Sequence, residues 1–512
     1  MERMAHGCTA HLEYAATNVA ANGDIAEPQP KPSFCYLFEK LQEPVHKEDA
    51  LLPDSTETRP EILAALAELG ATMNDKTQLA KFNSKTPSAY TYFGQFIDHD
   101  ISLTKLPQEL IDPCELDKES LAPWSYDSIV KTATNKRSKI LELESIYGDG
   151  SIKNGDEFVL EPVSDSDHPI KVSDLFHDLP RTGLNLDDPK KDRMALIPDR
   201  RNDSNLIISQ MHVAFLRAHN QILKNETNCT FEQAQQILTR QFHWIVINDF
   251  LMKRVADPAV VRSVLSSADP LYKPTADNVV LPLEFTVAAY RFGHCMIRNT
   301  YYLNTEYPGD DLLNLFVLNV LSDHSPPTFG KGFAHIPQKR IINWDSFIYT
   351  GTSFQNLARK IRTQMADPLF SLLDETDRTV PCEKRLAVQD LKRGYMLRIP
   401  TGQAVARELG YTELSPDNIL EHSAPNQREL LQKFGFTEKT PLWFYILVEA
   451  MAQQNGDRLG EVGSRIVAEV LIGLIRKSPH SYLTIDGFSP KYTNPQGEFE
   501  LADLFKLAGV LK

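Results

Sequence analysis

In the stretch Tyr92-Phe93-Gly94-Gln95-Phe96-Ile97-Asp98-His99-Asp100, an amide, an imidazole and two carboxylates fall within six residues of an otherwise apolar run. Read as a helix, the stretch sets Phe93, Phe96, Ile97 and Ile101 on one stripe at helical spacing. Gln95 and His99 are four residues apart and so point the same way, with Asp98 beside them. A helix that buries this stripe carries its polar group toward the interior, where polar side chains need partners or a ligand. A lone buried histidine is usually a core residue tied to a carboxylate. The local density of acid and base groups here raises a functional site to the level of that plain reading.

The rest of the chain limits what such a site can serve. At 512 residues it is long enough for a large core and for one to three domains. Its 42% hydrophobic content is that of an ordinary soluble protein. A net charge of −14 argues against nucleic acid or an anionic membrane as partner. No apolar run reaches membrane-spanning length; the richest, Leu442 to Val448 and Ile466 to Ile475, are short, and the second contains Glu469. The first residues, Met-Glu-Arg-Met-Ala-His-Gly-Cys, lack the apolar core of a secretory signal, so a cytoplasmic protein is expected. Cys8, Cys35, Cys114, Cys229, Cys295 and Cys382 show neither zinc-ligand nor redox spacing and read as free thiols. The sequons at Asn225 and Asn228 carry little weight without secretion.

Residues 1 to 60 are rich in Ala, Pro and polar groups and read as loosely ordered, followed by a packing helix, so residues 1–80 form an N-terminal extension to a domain over 81–512. Residues 105 to 195 are acidic and loop-rich, and long irregular segments in compact proteins are often functional. Helical patterns dominate afterward. They cover Ser204 to Lys224, with Asp203 or Ser204 as N-cap, then Thr230 to Lys253 and Phe285 to Ile297, and finally 353–374, 440–452 and 459–477. The expected fold is mostly α, one large helical domain with long loops and little sheet.

The Gln95–Asp100 segment resembles the distal-histidine motif of the animal-type haem peroxidases, the peroxidase–cyclooxygenase superfamily. Three later segments repeat the resemblance in the family's order: Ile197-Pro198-Asp199-Arg200-Arg201-Asn202-Asp203, Ala289-Tyr290-Arg291-Phe292-Gly293-His294 and Leu391-Lys392-Arg393-Gly394. Together they cover roughly residues 85 to 480, in wording closest to bacterial-style members; the first 80 residues match nothing. The resemblance implies the same fold and a haem b cofactor. It makes His294 the proximal iron ligand, which without it would read as a core histidine. The ligand's other ring nitrogen needs an acceptor. In the family this is an asparagine three residues before an arginine; matching Arg393 puts Asp390 there, a departure.

On the opposite side of the haem, the resemblance makes His99 the acid–base residue for hydrogen peroxide and Arg201 a fixed positive charge. Gln95 matches the residue that orients water or halide, and Arg291 the arginine of the haem site. Without the family, Arg201 would read as a salt bridge to Asp199 or Asp203. Asp98 matches a haem-ester carboxylate. The family's second ester and its sulfonium link fall on Ser204 and Asn205, which cannot form them, so at most one link is expected. The resemblance also implies a calcium ion bound by Asp100, Ser138, the Ile140 carbonyl, Glu142 and Glu144, alternate positions that suit oxygen ligands for a hard cation. The usual residues at the last two positions are Asp or Ser, and an acidic solvated loop is the other reading.

The resemblance thus points to a peroxidase that reduces hydrogen peroxide and oxidises a small-molecule electron donor, such as a phenol, a metabolite or an iodide-like halide. A haem fatty-acid dioxygenase is the alternative; those proteins use a tyrosine three residues before the proximal histidine, where this chain has Arg291, with Tyr290 one residue further. A non-catalytic haem-binding protein is a third reading, opposed by the intact His99, Arg201 and His294. A carboxylate acceptor pushes more electron density through the imidazole than an amide. Asp390→Asn is therefore expected to raise the ferric/ferrous potential of the haem-loaded protein in a spectroelectrochemical titration; an unchanged potential would refute the reading of Asp390.

Overall fold

A computed structural model describes residues 33–511 apart from 106–121, 126–127, 130–132, 139, 165–176, 186, 189–190, 275–278, 323–331, 352–354 and 371–384. The expectation for residues 1 to 60 falls outside this description over its first 32 residues. Helices dominate, and the strands form only two-stranded pairs, as expected. None of the described helices is long and apolar enough to cross a membrane.

The elements that position the site follow in chain order. Strand β1 (Phe34–Cys35) precedes helix α1 (Arg59–Thr72), strand β2 (Asn83–Pro87) and helix α2 (Ala89–Ile101). Helix α3 (Leu206–Asn225) and helix α4 (Phe231–Trp244) follow the loop-rich stretch, then strand β3 (Leu281–Pro282) and helix α5 (Leu283–Val287). Strand β4 (Leu357–Arg359), helix α6 (Leu386–Met396), helix α7 (Leu442–Gln454) and helix α8 (Glu461–Lys477) complete the frame.

The apolar stripe of α2 is buried as its spacing predicts: Phe93, Phe96, Ile97 and Ile101 are all inaccessible. Phe96 stacks on Phe215 of α3 at 4.4 Å and meets Phe242 of α4 edge-on at 6.2 Å. Such ring pairs add about 0.5–1.5 kcal/mol each beyond their burial. Helix α3 starts later than its pattern suggests, and its N-cap is Asn205, whose side chain accepts from the Ile207 and Ile208 amides at 3.1 Å. Residues Arg200–Asp203 form their own tight turn, capped by Asp199, which removes Asp203 and Ser204 as caps. Helix α4 carries a reciprocal Thr230–Gln233 capping box and continues as a π-helix over Ile245–Val255. Its Phe250 lies 5.7 Å from Phe93, ring to ring.

Two helical expectations fail. The 285–297 segment is α only to Val287; Ala288 breaks it at φ −131°, ψ −74°, and Ala289–Met296 winds as a 3₁₀-helix. Tertiary contacts override the apolar pattern: Tyr290 stacks back on Phe285 at 4.7 Å, and Arg291 reaches the Thr286 carbonyl at 3.2 Å. The described part of 353–374 is extended, then a short turn. Leu357 pairs antiparallel with Pro87, and Met365 pairs parallel with Asn74. Arg359 and Arg362 both reach the buried Asp75 carboxylate, which draws the backbone out, and Pro368 lacks the N–H a helix interior requires.

The described residues before position 80 pack into the same core as the rest. The buried Glu284 carboxylate accepts from the Leu37 and Phe38 amides at 2.8 and 3.2 Å, and burial pushes its pKa up to about 7. Tyr36 donates to the Leu397 carbonyl at 2.6 Å, just past α6. Helix α1 lies flat on α6 because Gly70 has no side chain: a Cβ there would sit 2.8 Å from the Val388 Cα and N. Backbone cannot yield as a side-chain tip does. Gly70→Ala is expected to lower stability by about 1–3 kcal/mol in denaturant unfolding; a neutral effect would mean that α1 and α6 are loosely coupled.

Candidate functional site

A cavity opens between α2 and the 289–296 turn. Its empty space, counted out through the open mouth, is about 970 Å³. Phe250, Met296, Ile297, Leu312, Phe316 and Leu386 supply apolar walls, while Gln95, Asp98, Asn205, Arg291 and His294 supply polar groups. Of the residues expected at the site, Gln95 and Asp98 thus line one wall and Arg291 and His294 the other. His99, Arg201, Asp390 and Arg393 are not part of the lining.

On the His294 side, the 3₁₀ turn matters. Three residues per turn place Arg291 and His294 on the same face, one above the other. Both meet Asp390 of α6: Arg291 Nη1 donates to Oδ1 at 2.8 Å, and His294 Nδ1 lies 2.9 Å from Oδ2. The Asp390 side chain is wholly buried. Burial pushes this carboxyl up, but the Arg291 guanidinium and the His294 ring outweigh it and hold it below its ordinary range. One turn on, burial and the like charge of Arg291 lower the Arg393 guanidinium to about 10, with Asp390 opposing. Two guanidiniums share one carboxylate here, so the corner keeps an excess of positive charge. Tyr290 lines the cavity and donates to the Gly94 carbonyl at 3.1 Å.

On the α2 side, His99 is fully buried, and its Nδ1 lies 2.8 Å from the Asn202 Oδ1. An amide oxygen only accepts, so Nδ1 carries the hydrogen and Nε2 the lone pair. The Asn202 Nδ2 in turn lies 3.1 Å from the Nδ1 of His212 on α3. Burial pulls the His212 pKa down to about 3, so this ring accepts as a neutral imidazole. Sequence reading missed Asn202 and His212. Asn202 lies inside the quoted Ile197–Asp203 segment without a role assigned to it, and His212 lies ten residues on in the helical pattern.

Arg201 makes the salt bridge expected of it without a family. Its Nε and Nη2 both reach Asp199, and Nη2 also donates to the carbonyls of His99, at 2.9 Å, and Ser102. A guanidinium at the last carbonyls of α2 meets the negative end of that helix. Asp203, the other candidate partner, is held instead by Arg181 at 2.6 and 2.8 Å. No described residue accepts from Arg201 Nη1. Asp98 accepts from the Ser102 hydroxyl at 3.1 Å, and burial raises its pKa. At the two positions of the family's other haem links, Ser204 is buried, and Asn205 reaches the cavity while capping α3.

The residues expected to bind calcium all have partners within the protein. Asp100 is spent on backbone: Oδ1 accepts from the Ser145 amide at 2.9 Å and its hydroxyl at 3.0 Å, and Oδ2 from the Leu143 amide at 2.9 Å. Glu142 faces Ser478 and His480, and Glu144 takes the Ser138 amide at 2.8 Å and Arg137 at 3.5 Å. The Ile140 carbonyl accepts from the Glu142 amide at 3.0 Å. The two glutamates therefore do not converge on Asp100, and no group of three or more His, Cys, Asp or Glu among the described residues is arranged to hold a metal ion.

The family model for the animal haem peroxidases matches residues 131–319, the stretch holding Arg201, Arg291 and His294. A peroxidase-like protein of Margaritifera margaritifera is 26% identical over 258 residues, 41% of this chain and 32% of the relative. The chain thus spans about a third of that relative's length. In fold it is similar to peroxidase A from Dictyostelium discoideum, with a TM-score of 0.56 and 16% identity over 87% of this chain and 89% of that one. It is also similar to the fatty acid alpha-dioxygenase of Oryza sativa, with a TM-score of 0.51 and 14% identity over 88% and 77% of the two chains. The chain is thus similar in sequence to the animal haem peroxidases over residues 131–319, and similar in fold to these all-helical solved structures.

The Asn202 amide fixes the tautomer of His99, which is open to direct observation. In the wild-type protein, ¹⁵N shifts of labelled histidine are expected to report His99 protonated on Nδ1. Asn202→Leu should remove that preference and cost about 1–3 kcal/mol, since it strands buried nitrogen atoms. A His99 signal unchanged by the substitution would show that the amide does not set the tautomer.

Proposed function

We propose that this chain is a haem-dependent peroxidase that reduces hydrogen peroxide and oxidises a small organic donor or an iodide-like halide. The observation that carries this reading is the buried Asp390 carboxylate, shared between Nδ1 of His294 and Arg291 on one wall of the cavity. A histidine that directs Nδ1 at a carboxylate is oriented to bind a metal through Nε2, and the carboxylate raises its basicity. The excess positive charge of Arg291 and Arg393 suits the acidic edge groups of haem b. These residues fit the cofactor. When bound, haem supplies an iron centre that accepts the oxidising equivalents of peroxide and passes them to a donor.

The protein's own groups then have separable tasks. His99, with Nε2 basic, takes a proton from peroxide and returns it to the departing oxygen. Asn202 keeps His99 in the tautomer this requires, and His212 holds Asn202. Arg201, anchored by Asp199, keeps a fixed positive charge at the His99 and Ser102 carbonyls, behind the lining. Gln95 orients water or a halide at the cavity wall. Asp98, whose burial favours the neutral carboxyl, is placed for at most one ester link to the haem. The apolar walls limit water, and the missing sulfonium link and the Asp390 carboxylate favour a donor easier to oxidise than chloride.

The dioxygenase reading is weaker because Arg291 holds the position three before His294 and is turned to Asp390, while the Tyr290 hydroxyl is bonded to the Gly94 carbonyl. Haem-loaded protein is expected to oxidise guaiacol with hydrogen peroxide. His99→Gln should lower kcat/KM by roughly 10²–10⁴-fold, and Tyr290→Phe should leave it near the wild-type value. Oxygenation of a fatty acid that Tyr290→Phe abolishes, with no guaiacol turnover, would replace the peroxidase with the dioxygenase. No turnover of either kind would leave a haem-binding protein.

A further inference from the structure

The resemblance implies a calcium ion where the end of α2 meets the 138–146 loop, and the residues there do not fit one. The loop instead comes to the helix directly. Leu143 adopts the left-handed conformation, φ 56° and ψ 38°, although it is a buried leucine. That conformation is costly for a branched side chain. It brings the Leu143 and Ser145 amides onto the two oxygens of Asp100, so the carboxylate accepts three hydrogen bonds from the loop.

A cation is nonetheless present, and it belongs to the protein. Arg137 is buried, with its side chain only 5% exposed, between Glu144 and Asp199. It donates to Asp199 through Nη2 and to Glu144 through Nη1 at 3.5 Å, and it interacts electrostatically with Asp100. Its backbone amide is held at 3.1 Å by Asn135 Oδ1. The Asn135 side chain also takes the Leu103 amide at 2.8 Å and donates to the Ile101 carbonyl at 2.9 Å, tying the Arg137 segment to the end of α2. The charges around Arg137 are already met within the protein: its guanidinium is paired with Glu144 and Asp199, and Asp199 is paired with Arg201 as well.

We propose that Arg137 takes the place of calcium in this chain, so that the joint between α2 and the 138–146 loop is held by an internal cation and requires no metal. The guanidinium supplies the positive charge, and the backbone bonds to Asp100 supply the cross-link. This leaves Asp199, which grips Arg201, held from its other side by Arg137 as well.

The test uses the full chain, with and without haem, so it can be read even if haem does not bind. Purified protein dialysed against metal-free buffer should contain no stoichiometric calcium. Its thermal unfolding midpoint should be the same in chelator and in excess calcium chloride. Arg137→Met should lower the midpoint by about 5 °C, and Arg137→Lys should lose less. Calcium retained at one ion per chain, or a midpoint that falls in chelator, would overturn the proposal. So would an Arg137→Met protein as stable as the wild type. If Arg137→Met does not fold, the metal content and chelator response of the wild-type chain still decide.

Discussion

The buried carboxylate of Asp390 is the contact on which the site depends. It lies on α6, and both groups it holds, His294 and Arg291, lie on the 289–296 turn. An ionised carboxylate in such a place is stable only when its charge is matched, and Arg291 and His294 together match it. That requirement explains several features at once. The turn must be 3₁₀, so that residues three apart face the same way. Helix α6 must come close, which Gly70 on α1 permits. The segment before α1 is fastened to the same region through Glu284 and Leu397, which brings the chain's early residues into the support of the site.

The opposite wall follows a different logic. There His99, buried behind the lining, is held by an amide rather than a carboxylate, so it gains no charged partner through Nδ1. The charge is kept one layer away, in the Asp199 carboxylate between Arg137 and Arg201. A carboxylate on the His294 side and an amide on the His99 side make one imidazole electron-rich and leave the other able to exchange its proton. The asymmetry suits a site that binds a metal on one side and moves a proton on the other.

Much of this was legible in the sequence because it rests on local periodicity. The stripe of α2, the long runs of α3 and α4, and the helices near 442 and 461 all have apolar spacing that burial then satisfies. Gln95, Asp98, Arg291 and His294, which line the cavity, all lie in segments that the resemblance had singled out. What could not be read was set by distant partners. The 285–297 pattern suits an α-helix, and side-chain contacts of Tyr290 with Phe285 and of Arg291 with Thr286 and the distant Asp390 accompany its tighter winding. The extension of 355–370 depends on Asp75, far earlier in the chain. Asn202 and His212 show no pattern of their own, since a single amide between two rings leaves no periodic trace. The resemblance implied a metal over 138–144, but the partners of Glu142 and Glu144, namely Ser478, His480 and Arg137, lie outside that stretch.

The central claim is that His294, oriented by Asp390, is the axial ligand of a haem bound in this cavity. The most direct measurement is the iron–imidazole stretching band in the resonance Raman spectrum of the ferrous protein after loading with haemin. The account predicts a single strong band, raised in frequency by the carboxylate partner, lost in His294→Gly and restored when imidazole is added to that variant. A band that persists unchanged in His294→Gly, or a wild-type chain that takes up no haem, would contradict it.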